Sequence, residues 1–391
     1  MRNMGFAACA GVMALFLLGM TSAQAGGFTL GTADTDILFQ EGNAARAGFS
    51  VLKSERKRAS FAGQPVEGFK NPVLVVPTLA AKYKINDAFS CALTYTMPFG
   101  GHTDYSGVSI AGMPVGFDPA TASTTGSTEQ KFLTHEFGTT CAYGIETGKG
   151  RLSLLGGVFY QRLEFDQWLG GPGGPLQLHL EDGQLGWRVG AAYEIPEIAL
   201  RAQLMYRSQT KIDASGDLSL TSGAVTLGPA TGWGEFPQSL EAKVQTGIAP
   251  GWLVFGSARW VDWSVMDVVN YNTTLDGDQT LNFFWRDGWT LSGGVAHAFT
   301  DNLVGTVGLS WDRGVSTGHD IQTDMWALSF GGTYKHSQNI EIRGGLSFLF
   351  YQSGSQDFIQ TGPGTSASFL GLWTADSDMG YVGSLSAVFK W

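Results

Sequence analysis

Hydrophobic and polar residues alternate along this chain with a period of two, in segments of roughly ten residues, the length a tilted strand needs to cross a bilayer. In residues 381–391, Tyr381, Leu385, Ala387, Phe389 and Trp391 share one face, and Ser384, Ser386 and Lys390 the other. Residues 340–351 set Ile340, Ile342, Leu346, Phe348 and Phe350 against Glu341, Arg343 and Ser347. Residues 303–313 set Leu303, Val307, Leu309 and Trp311 against Thr306, Ser310 and Asp312. Residues 198–207 set Ile198, Leu200, Leu204 and Tyr206 against Arg201, Gln203 and Arg207. The pattern predicts about fourteen strands, near 47–62, 72–85, 89–98, 130–146, 151–166, 184–194, 198–212, 238–248, 252–264, 285–299, 303–314, 324–336, 340–352 and 381–391.

A soluble sandwich would alternate too, but it has no reason to sort its loops by length. Here tight turns (86–87, 147–150, 195–197, 249–251, 300–302, 337–339) alternate with long polar or Gly-rich stretches (99–129, 167–183, 213–237, 265–284, 315–323, 353–378). Short turns on one side and long loops on the other mark an outer-membrane barrel. Aromatics gather at strand ends: Tyr193, Trp252, Phe299 and Trp391 beside tight turns, and Trp187, Tyr206, Trp260, Trp263, Trp285, Trp289, Trp311 and Trp326 beside long loops. Two such belts fit two water–lipid interfaces. The expected fold class is all-β, a transmembrane antiparallel β-barrel with an even strand count, so that no edge is left open in lipid.

Composition agrees. Only 15% of residues are charged, 55 are Gly, aromatics reach 12%, and mean hydropathy is +0.01, too polar for a helical membrane protein. No later run of about 18 apolar residues offers a spanning helix. The N-terminus reads as an export signal, 1–25: Arg2, an uncharged apolar stretch over 6–20, and Ala23-Gln24-Ala25 as an A-x-A cleavage box. The mature chain then begins at Gly26. A net charge of −10, one unit more negative without Arg2, argues against nucleic acid, which needs a basic face. Cys91 and Cys141 fall on adjacent predicted strands, both facing outward; two lipid-facing thiols are expected in preference to a cross-strand disulfide, which needs matched register. Residues 26–46, Gly/Ala-rich with Asp34, Asp36, Glu41 and the apolar Ile37-Leu38-Phe39, precede a barrel formed by 47–391, and their make-up fits a disordered terminal tail as well as a segment folded into the lumen.

Several stretches then resemble the FadL/TodX family of outer-membrane transporters for fatty acids and other hydrophobic compounds. They are Gly26-Gly27-Phe28-Thr29-Leu30; Tyr83-Lys84-Ile85-Asn86-Asp87 with Pro98-Phe99-Gly100 and Thr103-Asp104-Tyr105; Tyr206-Arg207-Ser208-Gln209-Thr210-Lys211; Phe236-Pro237-Gln238-Ser239-Leu240; and Val261-Asp262-Trp263-Ser264. Each is weak alone, but their order and spacing cover most of the mature chain. The resemblance implies a fourteen-stranded barrel plugged by its N-terminal segment. It also implies ligand capture among outer loops, a pocket above the plug, and lateral release at a kinked third strand. The family's plug carries an Asn-Pro-Ala motif; here Gln40-Glu41-Gly42-Asn43-Ala44-Ala45 has no Pro.

The expected ligand-contacting residues are Phe99, Tyr105, Ile110, Met113 and Phe117 from loop 99–129, and Trp168, Leu176 and Leu178 from loop 167–183. Apolar residues in exposed loops suit a flexible hydrophobic ligand, and Met adapts to shape. Lumenal cations could hold a carboxylate head group: Arg162 and Arg207 foremost, with Arg188, Arg201, Lys243, Arg259, Arg286 and Arg343. The alternative for each is a structural pair with Glu194, Glu241 or Glu341. Gating residues would be Phe28, Leu30, Phe39 and Asn43 in the plug, with Pro98 and Gly100, which weaken the third strand's end. The six His show no metal spacing and no G-x-S-x-G occurs, so neither metal, cofactor nor enzyme activity is expected.

These features predict a monomeric transporter of the bacterial outer membrane for long-chain fatty acids or similar hydrophobic small molecules. Outer-membrane lipid surrounds it, and the barrel-assembly machinery reads its C-terminal strand, Tyr381 to Trp391. The alternatives are a general diffusion porin, which would show charged constriction rings and no plug, and an aromatic-hydrocarbon channel of the same family.

Overall fold

A computed structural model describes residues 26–391 except 57–58, 69, 115–116, 119–122, 125–126, 171–173, 221–224, 276, 319 and 361–367. The export signal, 1–25, lies outside the described residues. Among the described residues no helix is long and apolar enough to cross a membrane; the crossing elements are strands.

Fourteen antiparallel strands of the described residues close on themselves: β1 (Ala44–Ser54), β2 (Leu74–Lys84), β3 (Phe89–Thr96), β4 (Ser127–Thr147), β5 (Gly150–Leu169), β6 (Leu176–Ile195), β7 (Leu200–Arg207), β8 (Ser239–Ala249), β9 (Trp252–Val261), β10 (Gly288–Ala298), β11 (Leu303–Asp312), β12 (Met325–Lys335), β13 (Ile340–Tyr351) and β14 (Asp378–Lys390). Each pairs with the next, and β1 closes onto β14 from Ala44↔Lys390 to Ser54↔Gly380. The period-two pattern becomes two faces. On β13, Ile340, Ile342, Leu346 and Phe350 face out while Glu341, Arg343 and Ser347 are buried in the lumen. Leu93, Val158, Leu185 and Val244 likewise face outward, Leu185 at 80% exposure, as an apolar band in contact with hydrocarbon requires.

The tight turns sit where alternation stops. At one, the Asn86 side chain accepts from the N–H of Ala88 and of Phe89 (2.9 and 2.8 Å). At another, Ala199 adopts a left-handed backbone, φ 51°, after the turn Pro196–Ile198. The long stretches are more ordered than their composition suggested. Thr210–Leu220 with Thr226–Phe236, Val268–Thr273 with Gly277–Asn282, and Gly354–Gln360 with Ser368–Ala375 form hairpins rising from the barrel rim. Their own alternation of apolar and polar residues gives each an inner apolar face to bury.

Several expectations are corrected. β1 covers 44–54, not 47–62, so the segment before the barrel ends at Asn43 and not at residue 46. Arg46 belongs to the wall and points inward, onto Asp34. Cys91 and Cys141 are directly paired across β3 and β4 and joined by a disulfide; the register is matched, so the expectation of two free thiols fails. Trp263 and Trp285 do not sit in an interface belt. They are 0% and 4% exposed, turned into the lumen by the turn that ends β9 and by the stretch before β10, whereas Trp187, Trp289 and Trp326 do face outward.

Residues 26–40 pack against the inner side of the wall, while Glu41 and Gly42 are exposed where the chain enters β1. The turn Thr35–Phe39 buries Ile37 and Leu38 against Ala80, Ala92, Ala142 and Leu155 of the wall. Its acids meet lumenal cations: Asp34 pairs with Arg46, and Asp36 with Lys243 at 3.3 Å. Lys82 donates to the Gln40 carbonyl. Acids scattered through a Gly/Ala-rich segment are thus spaced to meet cations carried by the wall.

A denatured sample should show no thiol reactive with maleimide until a reductant is added, then two per mature chain. Thiol labelling without reductant would count against the Cys91–Cys141 bond.

Candidate ligand pathway

Above the membrane-spanning part the lumen is apolar. A pocket of about 100 Å³ is lined by Phe28, Phe132, Leu163, Leu180, Ile212 and Phe236, among others. Most of these belong to a buried cluster formed by the inner faces of the hairpin extensions. Its floor is aromatic. Phe28 has ring centroids of Phe132, Trp285, Phe283 and Trp263 at 4.5, 4.6, 5.5 and 6.3 Å. Phe99 stacks on Phe236 at 5.0 Å and meets Trp263 edge-on at 5.5 Å.

Below Phe99 the chemistry changes. The Arg207 guanidinium lies 5.2 Å from the Phe99 ring and 4.3 Å from that of Phe159. It donates to Glu136 Oε2 through Nε (3.1 Å) and Nη2 (2.9 Å), and also to Gln161. Arg188 donates to the other oxygen of Glu136. A carboxylate 1% exposed is thereby held between two guanidiniums, the fork geometry that favours Arg over Lys. A small cavity of about 50 Å³ here is bounded by Phe99, Arg188, Arg207, Arg259 and Glu241. A cavity of about 170 Å³, lined by apolar side chains and by Asp34, Lys243 and Arg343, continues downward. Gly31 and Thr32 line both.

The wall is interrupted beside this stack. β3 pairs with β2 only from Leu79↔Tyr95 to Lys84↔Ser90. The outer part of β2, Leu74 to Thr78, pairs with β1 alone. β3 stops at Thr96 and its line resumes over Gly100–Asp104 along β4, with Met97, Pro98 and Phe99 between. The N-terminal segment takes up the freed groups: Leu30 N donates to Pro98 O (2.9 Å) and Gly100 N to Phe28 O (3.0 Å). Leu30 packs with Val76 and Met97. Gly31 is wedged in the seam, where a Cβ would lie 2.9 Å from Thr96 Oγ1, 3.2 Å from Met97 O and 3.5 Å from Val76 Cγ1. Only a residue without a side chain approaches both strands so closely.

The structure sorts the expected site residues. Phe28, Leu30, Phe99, Pro98, Gly100 and Arg207 converge on the pocket floor and the seam. Leu178 is fully buried and Leu176 packs beside it in the apolar cluster. Tyr105 lines a separate outer cavity of about 280 Å³ with Phe28, Arg56 and Asp320. Ile110 packs instead with Ile321 and Trp373, and Met113, its hairpin partner, is exposed. Phe117 lies in a short strand paired with Thr124. Trp168 stands near the end of β5, its carbonyl accepting from Thr128, away from the pocket. Phe39 packs under Arg201, 4.7 Å from its guanidinium carbon. Two assignments fail. Arg162 is not lumenal: its neighbours Gln161 and Leu163 point inward, so it points outward and pairs with Glu164 and Glu181 at 3.3 and 2.9 Å. Arg286 is exposed at the rim and donates to Gly314 O. Asn43 is also distant from the seam; it exchanges backbone hydrogen bonds with Trp391 and its side chain accepts from Lys84 N (2.9 Å), which fixes the start of β1. Sequence reasoning missed Glu136, Gln161, Trp263 and Trp285. For Glu136 the signal was available: an acid on the inward phase of a strand otherwise set for Thr134 and Thr140.

The sequence profile described as outer membrane protein transport protein (OMPP1/FadL/TodX) matches residues 46–361. The chain belongs to this family. It is a transport protein of the bacterial outer membrane, and the family is one of transporters, not enzymes. A Pseudomonas aeruginosa FadL homologue superposes with TM-score 0.70 at 15% identity, covering 91% of this chain and 92% of its own. The P. putida toluene transporter TodX gives 0.64 at 16%, with the same coverage. The Ralstonia pickettii toluene transporter TbuX gives 0.62 at 15%, covering 96% of this chain and 100% of its own. At such identities the likeness establishes the fold. No curated protein sequence matches the chain.

Glu136→Gln leaves Arg188 and Arg207 sharing an uncharged partner. Losing one member of a buried charge set costs about 3 kcal/mol, so the temperature at which the barrel loses its compact mobility on SDS gels should fall. An unchanged temperature would mean that the guanidiniums are satisfied without the carboxylate.

Proposed function

We propose that the protein takes up a hydrophobic small molecule, a long-chain fatty acid or a compound of similar character, and delivers it sideways into the membrane. The single observation that carries this reading is the placement of the apolar pocket directly above a seam between β2 and β3 that is closed by Thr29, Leu30 and Gly31 of the N-terminal segment and not by the barrel itself. Ligand enters among the outer hairpins, rests on Phe28 and Phe99, and leaves through the seam when that segment shifts. An apolar cargo that exits laterally never has to cross the polar lower lumen. Arg207, at the boundary, is already bonded to Glu136 and Gln161, so a carboxylate head group there would compete with Glu136 for it. The protein acts as a monomer in outer-membrane lipid, and its C-terminal strand, ending in Phe389 and Trp391, is the segment the barrel-assembly machinery would recognise.

A second reading, uptake of aromatic hydrocarbons, is favoured by the modest pocket volume of about 100 Å³ and by the two toluene transporters among its structural neighbours. Uptake of a labelled long-chain fatty acid and of labelled toluene should be compared in cells lacking their own importers. Uptake of either that falls severalfold in Ala214→Phe, which fills the pocket from its wall, supports the proposal and names the cargo. Entry of small hydrophilic solutes alone would leave a diffusion porin. A chain lacking residues 27–43 should become leaky to hydrophilic solutes, since the polar lumen would lose its filling; retained impermeability would show that this segment is not the closure.

A further inference from the structure

Two arginines of the lower lumen are buried with much of their hydrogen-bonding capacity unspent. Arg46 on β1 and Arg343 on β13 are 5% and 1% exposed. Arg46 donates through Nη1 to Asp34 (2.5 Å), and Arg343 through Nη2 to Glu341 (3.1 Å). Nε and Nη2 of Arg46, and Nε and Nη1 of Arg343, are buried with no hydrogen-bond partner among the described residues. A guanidinium carries five N–H donors, and leaving donors of a buried charge unpaired is expensive. Both side chains line the cavity of about 170 Å³.

The register brings the two together. Arg46 faces Val388 of β14, and Val388 faces Glu341; one inward position further along, Gly48 faces Ser386 and Ser386 faces Arg343. The two arginines are thus two strands apart, about 10 Å across the sheet, and Arg46 and Asp34 are among the charges that act on Arg343. Between them the wall is cut back to Gly48, Ser384 and Ser386, which line the same cavity. Charge is unbalanced here. Among the described residues Arg46, Arg343 and Lys390 form ion pairs with Asp34 and Glu341 alone, three cations with two acids. The acids on the β8 side do not cancel that surplus: Asp36 and Glu241 share Lys243, and Arg201 and Arg259 act on them as well.

We propose that this part of the lumen binds one small monovalent anion, of halide size, between Arg46 and Arg343. Nε–H and Nη2–H of Arg46 are the parallel pair of the guanidinium, the edge that grips an anion with two donors at once. Nε and Nη1 of Arg343 lie across from it, with Ser384 and Ser386 lining the same space. One negative charge cancels the surplus, whereas a dianion such as sulfate would reverse it. The cavity has room for such an ion with water around it. The site lies in the lower lumen, apart from the apolar pocket and the seam, so it holds whichever cargo the pocket takes.

The probe is bromide. Crystals of the mature protein grown in bromide should show, at the bromine absorption edge, an anomalous peak between Arg46 and Arg343 that is lost in Arg343→Met. Glu341 keeps its bond from Lys390 (2.5 Å) in that variant. In detergent solution the unfolding temperature should rise with bromide to a plateau, and not with sulfate at equal ionic strength, since a ligand that binds only the folded state stabilises it by mass action. Ser386→Asp, which tethers a carboxylate beside Arg343, should unfold at a temperature independent of bromide; it serves if Arg343→Met does not fold. Water alone at the site, seen as the lack of a bromide peak there, or a bromide response unchanged in the folded variant, would overturn the proposal.

Discussion

Everything in this molecule follows from the need to pair every backbone N–H and C=O at the depth of the hydrocarbon. Lipid offers no hydrogen bonds, so an unpaired group costs several kcal/mol and only a closed ladder is tolerated. Thirteen hairpin-type neighbours and the β1–β14 closure satisfy that demand for most of the circumference. The exception is the outer part of the β2–β3 boundary, where Met97-Pro98-Phe99 carries β3 out of line. Pro98 has no N–H to give, which makes it a residue that can stand there. The groups freed on the other side are taken by the main chain of Leu30 and Phe28. The closure is therefore made of the same hydrogen bonds as the wall, but from a strand that is not part of it.

Charge does in the lower lumen what apolar packing does above. The N-terminal segment contributes Asp34 and Asp36; the wall contributes Arg46 and Lys243. Higher up, Glu136 binds Arg188 and Arg207. Such pairs are poor sources of net stability, because desolvation offsets the attraction, but they are specific about geometry. A segment held by two ion pairs and a few glycine contacts has one seated position. Its large apolar residues, Phe28, Leu30, Ile37, Leu38 and Phe39, are all packed against the wall in that position.

The sequence made the barrel legible because period two is strong wherever one face meets lipid and the other a polar lumen. The strand count and most strand bounds followed from the clean alternation in 340–351 and 381–391. The errors have physical causes. β1 was placed late because Ala44, Ala45 and Ala47 carry no hydropathy contrast between faces. Arg162 was misplaced because, above the membrane, both faces of β5 can carry charge and alternation no longer reports direction. Trp263 and Trp285 were read as interface residues from their position at strand ends, but the chain turns inward there, and an indole near a rim serves either environment. The pocket itself was only partly visible: its lining comes from inner faces of hairpins that composition alone suggested were loops.

The disulfide has a consequence for alignment. Opposite residues on neighbouring strands exchange faces when the pairing slips by one position. β3 is the strand most exposed to that error, since beyond Tyr95 it has lost its partner on the β2 side. A slip against β4 would turn Ala92 and Thr94 toward lipid and Leu93 and Tyr95 toward the lumen. The covalent bond between Cys91 and Cys141 holds the two ladders in one phase. The strand that lacks one neighbour over its outer part is thereby kept in step with the other.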